Sequence, residues 1–155
     1  AVISRPFSAC GTVWQRLKHV LQTFPNAGLA LPAQALCRGT ASPVTLEAAS
    51  MNAQGLMKEP YLVDDLPLVV LRSEAFRRVG GFDTRFSTAA CAWTDLGLRM
   101  RQAGFRVITA EDAVVSGRPP DAGKELDIDL LVHKWCADGL RVMELLVAEA
   151  GIKQP

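Results

Sequence analysis

Thr94-Asp95-Leu96-Gly97-Leu98-Arg99-Met100-Arg101-Gln102-Ala103-Gly104-Phe105-Arg106-Val107-Ile108-Thr109 holds a helix, its stop and a strand in one stretch, and it decides the fold class. Leu96, Met100 and Ala103 recur at helical spacing, so a helix is predicted over Asp95 to Ala103 with Thr94 as its N-cap. Asp95 then falls in the first turn, where the helix dipole favours an acid. Gly104 is the left-handed residue expected just past a helix end. Phe105 to Thr109 alternates as a strand, and Ala113-Val114-Val115 is a short apolar run behind it.

The same alternation extends upstream. Leu68-Val69-Val70-Leu71 reads as a buried strand, followed by a short helix that Ser73 caps and Gly80-Gly81 stops. Ala27-Gly28-Leu29-Ala30-Leu31, closed by Pro32, reads as another buried strand. Before it, Val13, Trp14, Leu17, Val20, Leu21 and Phe24 mark an amphipathic helix over 12–24 with Thr12 as N-cap. Ala1 to Ile3 is a strand stub. Residues 33–65 carry little periodicity and are expected to be irregular. Residues 124–150 are expected to be a C-terminal helical region, broken near Asp138-Gly139. Short buried strands between helices make the chain α/β, with a mixed sheet flanked by helices in a single domain over 1–155.

Composition narrows the function. The 155 residues are 49% apolar and 21% charged, enough for one core without disulfide staples. Lys and Arg number 17 against 16 Asp and Glu, with no block of like charge, so nucleic acid is not an expected partner. No apolar run approaches the roughly 20 residues of a membrane span. Cys10, Cys37, Cys91 and Cys136 never form a C-x-x-C pair, which removes zinc ribbons and thioredoxin-type motifs. They read as buried free thiols of a reducing compartment, hence a cytoplasmic location. The start, Ala1-Val2-Ile3-Ser4, shows neither Met nor a signal peptide, and an excised fragment is expected.

Few residues suggest chemistry by themselves. His133 and Cys136 share a helical face and are conceivable as a nucleophile pair, but the favoured reading is an exposed His133 and a core Cys136 beside Trp135. His19 has no visible ligand partner. Asp64 and Asp65, adjacent before a buried strand, are able to hold a cation or orient sugar hydroxyls; they also suit a turn. Asp127 and Asp129 need only the dipole of their own helix.

The order of several motifs says more. Leu71-Arg72-Ser73-Glu74-Ala75-Phe76-Arg77-Arg78-Val79-Gly80-Gly81-Phe82-Asp83-Thr84-Arg85-Phe86 resembles the "R-R-E-A-F-x-x-V-G-G-F-D-E-x-F" stretch of family 2 glycosyltransferases. Thr94 to Val107 is similar to that family's "E-D-x-D-L-x-L-R-L-R-x-A-G-Y-R-V". Asp112-Ala113-Val114-Val115 matches its "D-A-V-V", Lys134-Trp135 its C-terminal "K-W", and Phe24-Pro25-Asn26-Ala27-Gly28-Leu29 its "h-P-x-v-G-l". The likeness runs over most of the chain. It implies the acceptor half of a GT-A fold, with the nucleotide-binding half absent.

Carried over residue by residue, the resemblance keeps the scaffold and loses the chemistry. It places the metal-binding D-x-D near Ser4-Arg5-Pro6, which offers no ligand for a hard cation. The general base falls at Ala92 or Trp93, neither of which accepts a proton. The His after "D-A-V-V" is replaced by Ser116-Gly117, and the small "S-G-A" by Asp65-Leu66-Pro67. Asp95 is the surviving acid of the motif and the candidate catalytic residue, with Asp64, Asp65 and Trp93 as candidate substrate contacts. No cofactor is expected, Mn²⁺ or Mg²⁺ entering only if a donor half is supplied.

The resulting expectation is a glycosyltransferase-like domain without independent transferase activity, serving as a structural or binding module. It would act as a homodimer or within a larger glycosyltransferase chain. One alternative is part of an active enzyme whose donor-binding half is elsewhere, with Asp95 or Asp65 as base. Another is a protein-interaction domain that retains only the fold.

Overall fold

The structure, a computed structural model, describes residues 2–3, 8–34, 43–60, 63, 66–116 and 125–136. Its strands are β1 (Val2–Ile3), β2 (Ser8–Ala9), β3 (Ala27–Gln34), β4 (Met57–Lys58), β5 (Leu68–Leu71) and β6 (Arg106–Ser116). Its helices are α1 (Val13–Thr23), α2 (Pro43–Asn52), α3 (Ser73–Arg78), α4 (Ala89–Gln102) and α5 (Glu125–Cys136). The expected mixed α/β sheet flanked by helices is what these residues form.

The strand order is β1-β5-β3-β6-β2, with β4 also paired to β6. The central β3–β6 pair is parallel, while β5 runs antiparallel to β3. Alternation along the strands separates two cores, as the two-residue period requires. Ala30, Leu68, Val70 and Ile108 face α1 and α2, where Leu17, Val20 and Leu46 are buried. Leu29, Leu31, Val69 and Val107 face the other way, against Ala75 of α3 and Trp93, Leu96 and Met100 of α4. Burying each such aliphatic side chain contributes about 1.5–3 kcal/mol. Helices thus cover both faces of the sheet.

Two arginines tie the layers at helix ends. Arg72 donates through Nε to the Ala27 carbonyl at 3.0 Å and through a terminal nitrogen to Leu21 O at 2.6 Å, holding the last turn of α1 against β3. Arg99 donates to the Val79 carbonyl at the end of α3. Such contacts satisfy carbonyls that a helix leaves without partners.

Several local readings need correction. Residues 33–65 are not irregular throughout, because α2 and β4 lie within them. Ser50 of α2 donates to Asp112 O at 2.6 Å, and Gly55 N donates to Asp112 Oδ2 at 3.2 Å. Asp112 sits where β6 bulges, its pairing with β3 jumping from Pro32–Ala110 to Ala33–Val114. The segment without periodicity is therefore fastened to the sheet by scattered apolar residues, Leu46 and Val63, and by polar bonds that leave no hydropathy pattern. Ser73 is the first helical residue of α3, its N-cap being Arg72. Thr12 holds the N-cap position of α1 without a side-chain capping bond. Residues beyond Cys136, and so most of the expected helical region 124–150, lie outside the described residues. Among the described residues, no helix is long and apolar enough to cross a membrane.

Candidate functional site

The site is built around α4, and α4 starts earlier than its sequence suggests. Its first helical residue is Ala89, with Thr88 as N-cap, so Thr94 is mid-helix rather than a cap. Thr94 is buried and bonds Val63 twice, accepting from its N–H at 3.1 Å and donating to its carbonyl at 3.2 Å. The two residues leading into α4 are held from another helix. Asp127 of α5 accepts from Ser87 N at 2.9 Å, from the Ser87 hydroxyl and from Thr88 N. The Thr88 and Ser87 donors hold the Asp127 carboxyl below its usual range. Asp127 lies in the first turn of its own helix, as its sequence position suggests, and also holds the start of α4.

Moving Thr94 into the helix moves Asp95 with it, from a solvated first turn to the interior. Asp95 is 0% exposed. Its Oδ2 accepts from Arg99 Nε at 2.8 Å, one turn along the same helix. Its Oδ1 accepts from the Trp135 indole N–H at 3.0 Å and from Lys134 Nζ at 2.7 Å. The same ammonium reaches Asp83 Oδ2 at 2.8 Å, so Lys134 bridges two carboxylates. Arg85 closes the network with a fork onto Asp83. Hydrogen bonding from Arg85 and then Lys134 holds the Asp83 carboxyl far below the usual carboxylate range.

Beside this network lies a shallow, open cleft of about 410 Å³, lined by Phe82, Asp83, Ser87, Thr88, Ala92 and Trp93 among others. Phe82 and Trp93 meet edge to face with centroids 4.7 Å apart. Phe82 is 38% exposed, whereas Trp93 is only 4% exposed and belongs mainly to the core. Aromatic carbon beside hydroxyls and a carboxylate suits a ligand with both apolar faces and hydroxyl groups.

Asp95 and Trp93 are therefore neighbours of one cleft, Asp95 sealed and Trp93 in its wall. Asp64 and Asp65 lie outside the described residues, as do Ser4-Arg5-Pro6 and Gly117. Ser116, at the end of β6, is buried. His133 is exposed, and His19 lies within hydrogen-bond distance of Thr23 on α1, so neither belongs to the cleft. Phe82, Asp83, Lys134 and Asp127 are the residues that no chemical pattern in the sequence singled out. The available signal was indirect: an aromatic–acid pair after the Gly80-Gly81 turn, and a cation next to a tryptophan.

The position at which the family resemblance implies a divalent ion, Ser4-Arg5-Pro6, lies outside the described residues. Asp83 and Asp95 converge on one point, and the Lys134 ammonium fills it. Among the described residues, no group of three or more His, Cys, Asp or Glu is placed to share a metal. The class that fold and site define is a mixed α/β domain with a polar network sealed against an open cleft. Beyond that class, no family model, curated protein or solved structure matches the chain.

Proposed function

We propose that this chain is a glycosyltransferase-like domain, the acceptor half of a GT-A fold, that works as a binding module without transferase activity of its own. The observation that carries the reading is the commitment of both Asp95 oxygens to Arg99, Lys134 and Trp135. A general base needs to reach the proton it removes. A carboxylate with no exposed surface and two cationic partners has no oxygen left for an acceptor hydroxyl. What remains usable is the cleft, where the partly exposed Phe82 ring lies beside the hydroxyls of Thr84, Ser87 and Thr88 and suits a sugar ring.

In this reading the domain pairs with a second copy or with a larger glycosyltransferase chain. Among the described residues, β1 covers only Leu68 and Val69 on the outer edge of β5, and an uncovered edge is a template for pairing. The free, buried Cys10 and Cys91 suit a reducing, cytoplasmic compartment.

The test is binding of the full chain to an immobilised oligosaccharide panel. Saccharide binding that Phe82→Ala abolishes supports the module. Absence of binding across the panel, or binding untouched by Phe82→Ala, overturns it.

A further inference from the structure

Phe86, Cys91, Leu98, Leu131 and Trp135 form a small apolar cluster under α5, separate from the two clusters that line the sheet. On α5, the described buried residues are Asp127, Leu131 and Trp135, one stripe at intervals of four. Only two of them are apolar. Leu130, partly buried, packs against the same cluster, and the remaining fastenings among the described residues are polar: Asp127 on the start of α4, Lys134 across Asp83 and Asp95, and the Trp135 indole N–H on Asp95. An element held by a narrow seam and a few directed contacts opens before the molecule as a whole unfolds.

What it covers follows from the geometry of α4. Thr88, Ala92, Asp95 and Arg99 lie on one stripe of that helix, spaced four, three and four apart. Thr88 and Ala92 line the cleft. Next along the stripe is Asp95, where Lys134 and Trp135 close over the carboxylate. Lys134 and Trp135 of α5 thus cover the next position of the stripe that Thr88 and Ala92 bring into the cleft.

We propose that α5 is a strap that opens from α4 as a unit, and that its release extends the Phe82–Trp93 cleft to Asp95. The strap would set how long a ligand the cleft takes, a consequence that rests on the binding-module reading; the opening itself does not. Closed, it leaves a short shallow site. Open, it adds the Asp95–Arg99 ion pair, rather than a free carboxylate, to the floor.

Two buried thiols make the opening measurable. Cys91 belongs to the strap cluster and Cys10 to the cluster under α1, and both are free. The experiment is alkylation of the full chain with iodoacetamide, resolved peptide by peptide by mass spectrometry. In the unmodified chain, Cys91 is expected to label faster than Cys10. Lys134→Met, which keeps the stem and removes the bridging ammonium, is expected to accelerate Cys91 by about tenfold and leave Cys10 unchanged. Trp135→Phe, which keeps an aromatic ring and removes the N–H donor, moves Cys91 in the same direction. Equal rates at the two thiols in the unmodified chain overturn the proposal whether or not the variants fold. So does a Lys134→Met chain in which Cys91 is unchanged or both thiols accelerate together. A failure of the saccharide test leaves these rates untouched, so the two claims fail separately.

Discussion

Trp135 donates its indole N–H to Asp95 at 3.0 Å, joining residues 40 positions apart across the α4–α5 seam. With Lys134 on the same oxygen and Arg99 on the other, this contact makes a buried acid into a packing element. Burying a charge is unfavourable unless it is paired and hydrogen-bonded, and Asp95 is both. The pairing explains why an acid tolerates the middle of α4.

Removing that acid is expected to be severe. Asp95→Ala leaves Arg99 and Lys134 without their shared counter-charge and the indole without its acceptor. Loss of one partner from a buried pair costs about 3–5 kcal/mol. Urea denaturation of the variant checks it; a loss under about 1 kcal/mol would place Asp95 among surface pairs.

Acid is expected to loosen the same region first. Asp83 and Asp127 both have carboxyls depressed below the ordinary value of 3.8, the first by Arg85 and Lys134, the second by Thr88 and Ser87. A depressed acid contributes stability that is fully present above its unfolded-state value and fades as pH falls toward its folded-state value. Thermal melts should therefore hold steady with respect to these two groups above about pH 5 and decline below about pH 4. Asp83→Asn should flatten part of that decline. An unchanged acid limb in the variant contradicts the assignment.

Much of this architecture was legible in the sequence, and the reasons differ by element. Leu68–Leu71 and the start of β3 were plain because continuous apolar runs mark strands buried on both faces. Gly104 was plain because a left-handed stop needs no tertiary partner, and its φ is +85°. The start of α4 was not, because its cap is the Asp127 carboxylate, 40 residues from Ser87 in sequence. Misplacing that start by six residues turned Thr94 into a cap and Asp95 into a solvated acid. The bulge at Asp112 escaped for the same reason, its supports being Ser50 and Gly55. Of the site, Asp95 and Trp93 were singled out in the sequence, but the cover of Asp95 by Lys134 and Trp135 and the packing of Trp93 against the sheet were not legible there.

Two glycines are expected to fail for opposite reasons. A Cβ at Gly104 meets nothing within 4 Å, so Gly104→Ala is strained only through its positive φ, by about 1 kcal/mol. A Cβ at Gly28 would lie 2.9 Å from Met100 Sδ and 3.0 Å from Phe105 Cβ, where β3 passes under α4. Gly28→Ala should therefore cost about 1–3 kcal/mol by overpacking, and Met100→Ala in the same chain should relieve part of it. Additive losses in the double variant would contradict the contact.

Arg72 offers a test of how the layers are joined. Its fork holds carbonyls at the end of α1 and the start of β3, which a lysine cannot span together. Arg72→Lys is expected to lower stability by about 1–3 kcal/mol, read in urea, with no change in saccharide binding. Full stability in the lysine variant would show that one cation contact suffices.

The commitment of Asp95 to packing, in the function proposed for this chain, leaves it without transferase chemistry. Turnover of UDP-, GDP- and dTDP-sugars, with Mn²⁺ present and a panel of saccharide acceptors, tests it most directly. The account expects no transfer and no donor hydrolysis above the protein-free rate, in the unmodified chain and in a folded Asp95→Asn variant alike. Turnover by the unmodified chain that Asp95→Asn abolishes would make Asp95 a working base and contradict the account.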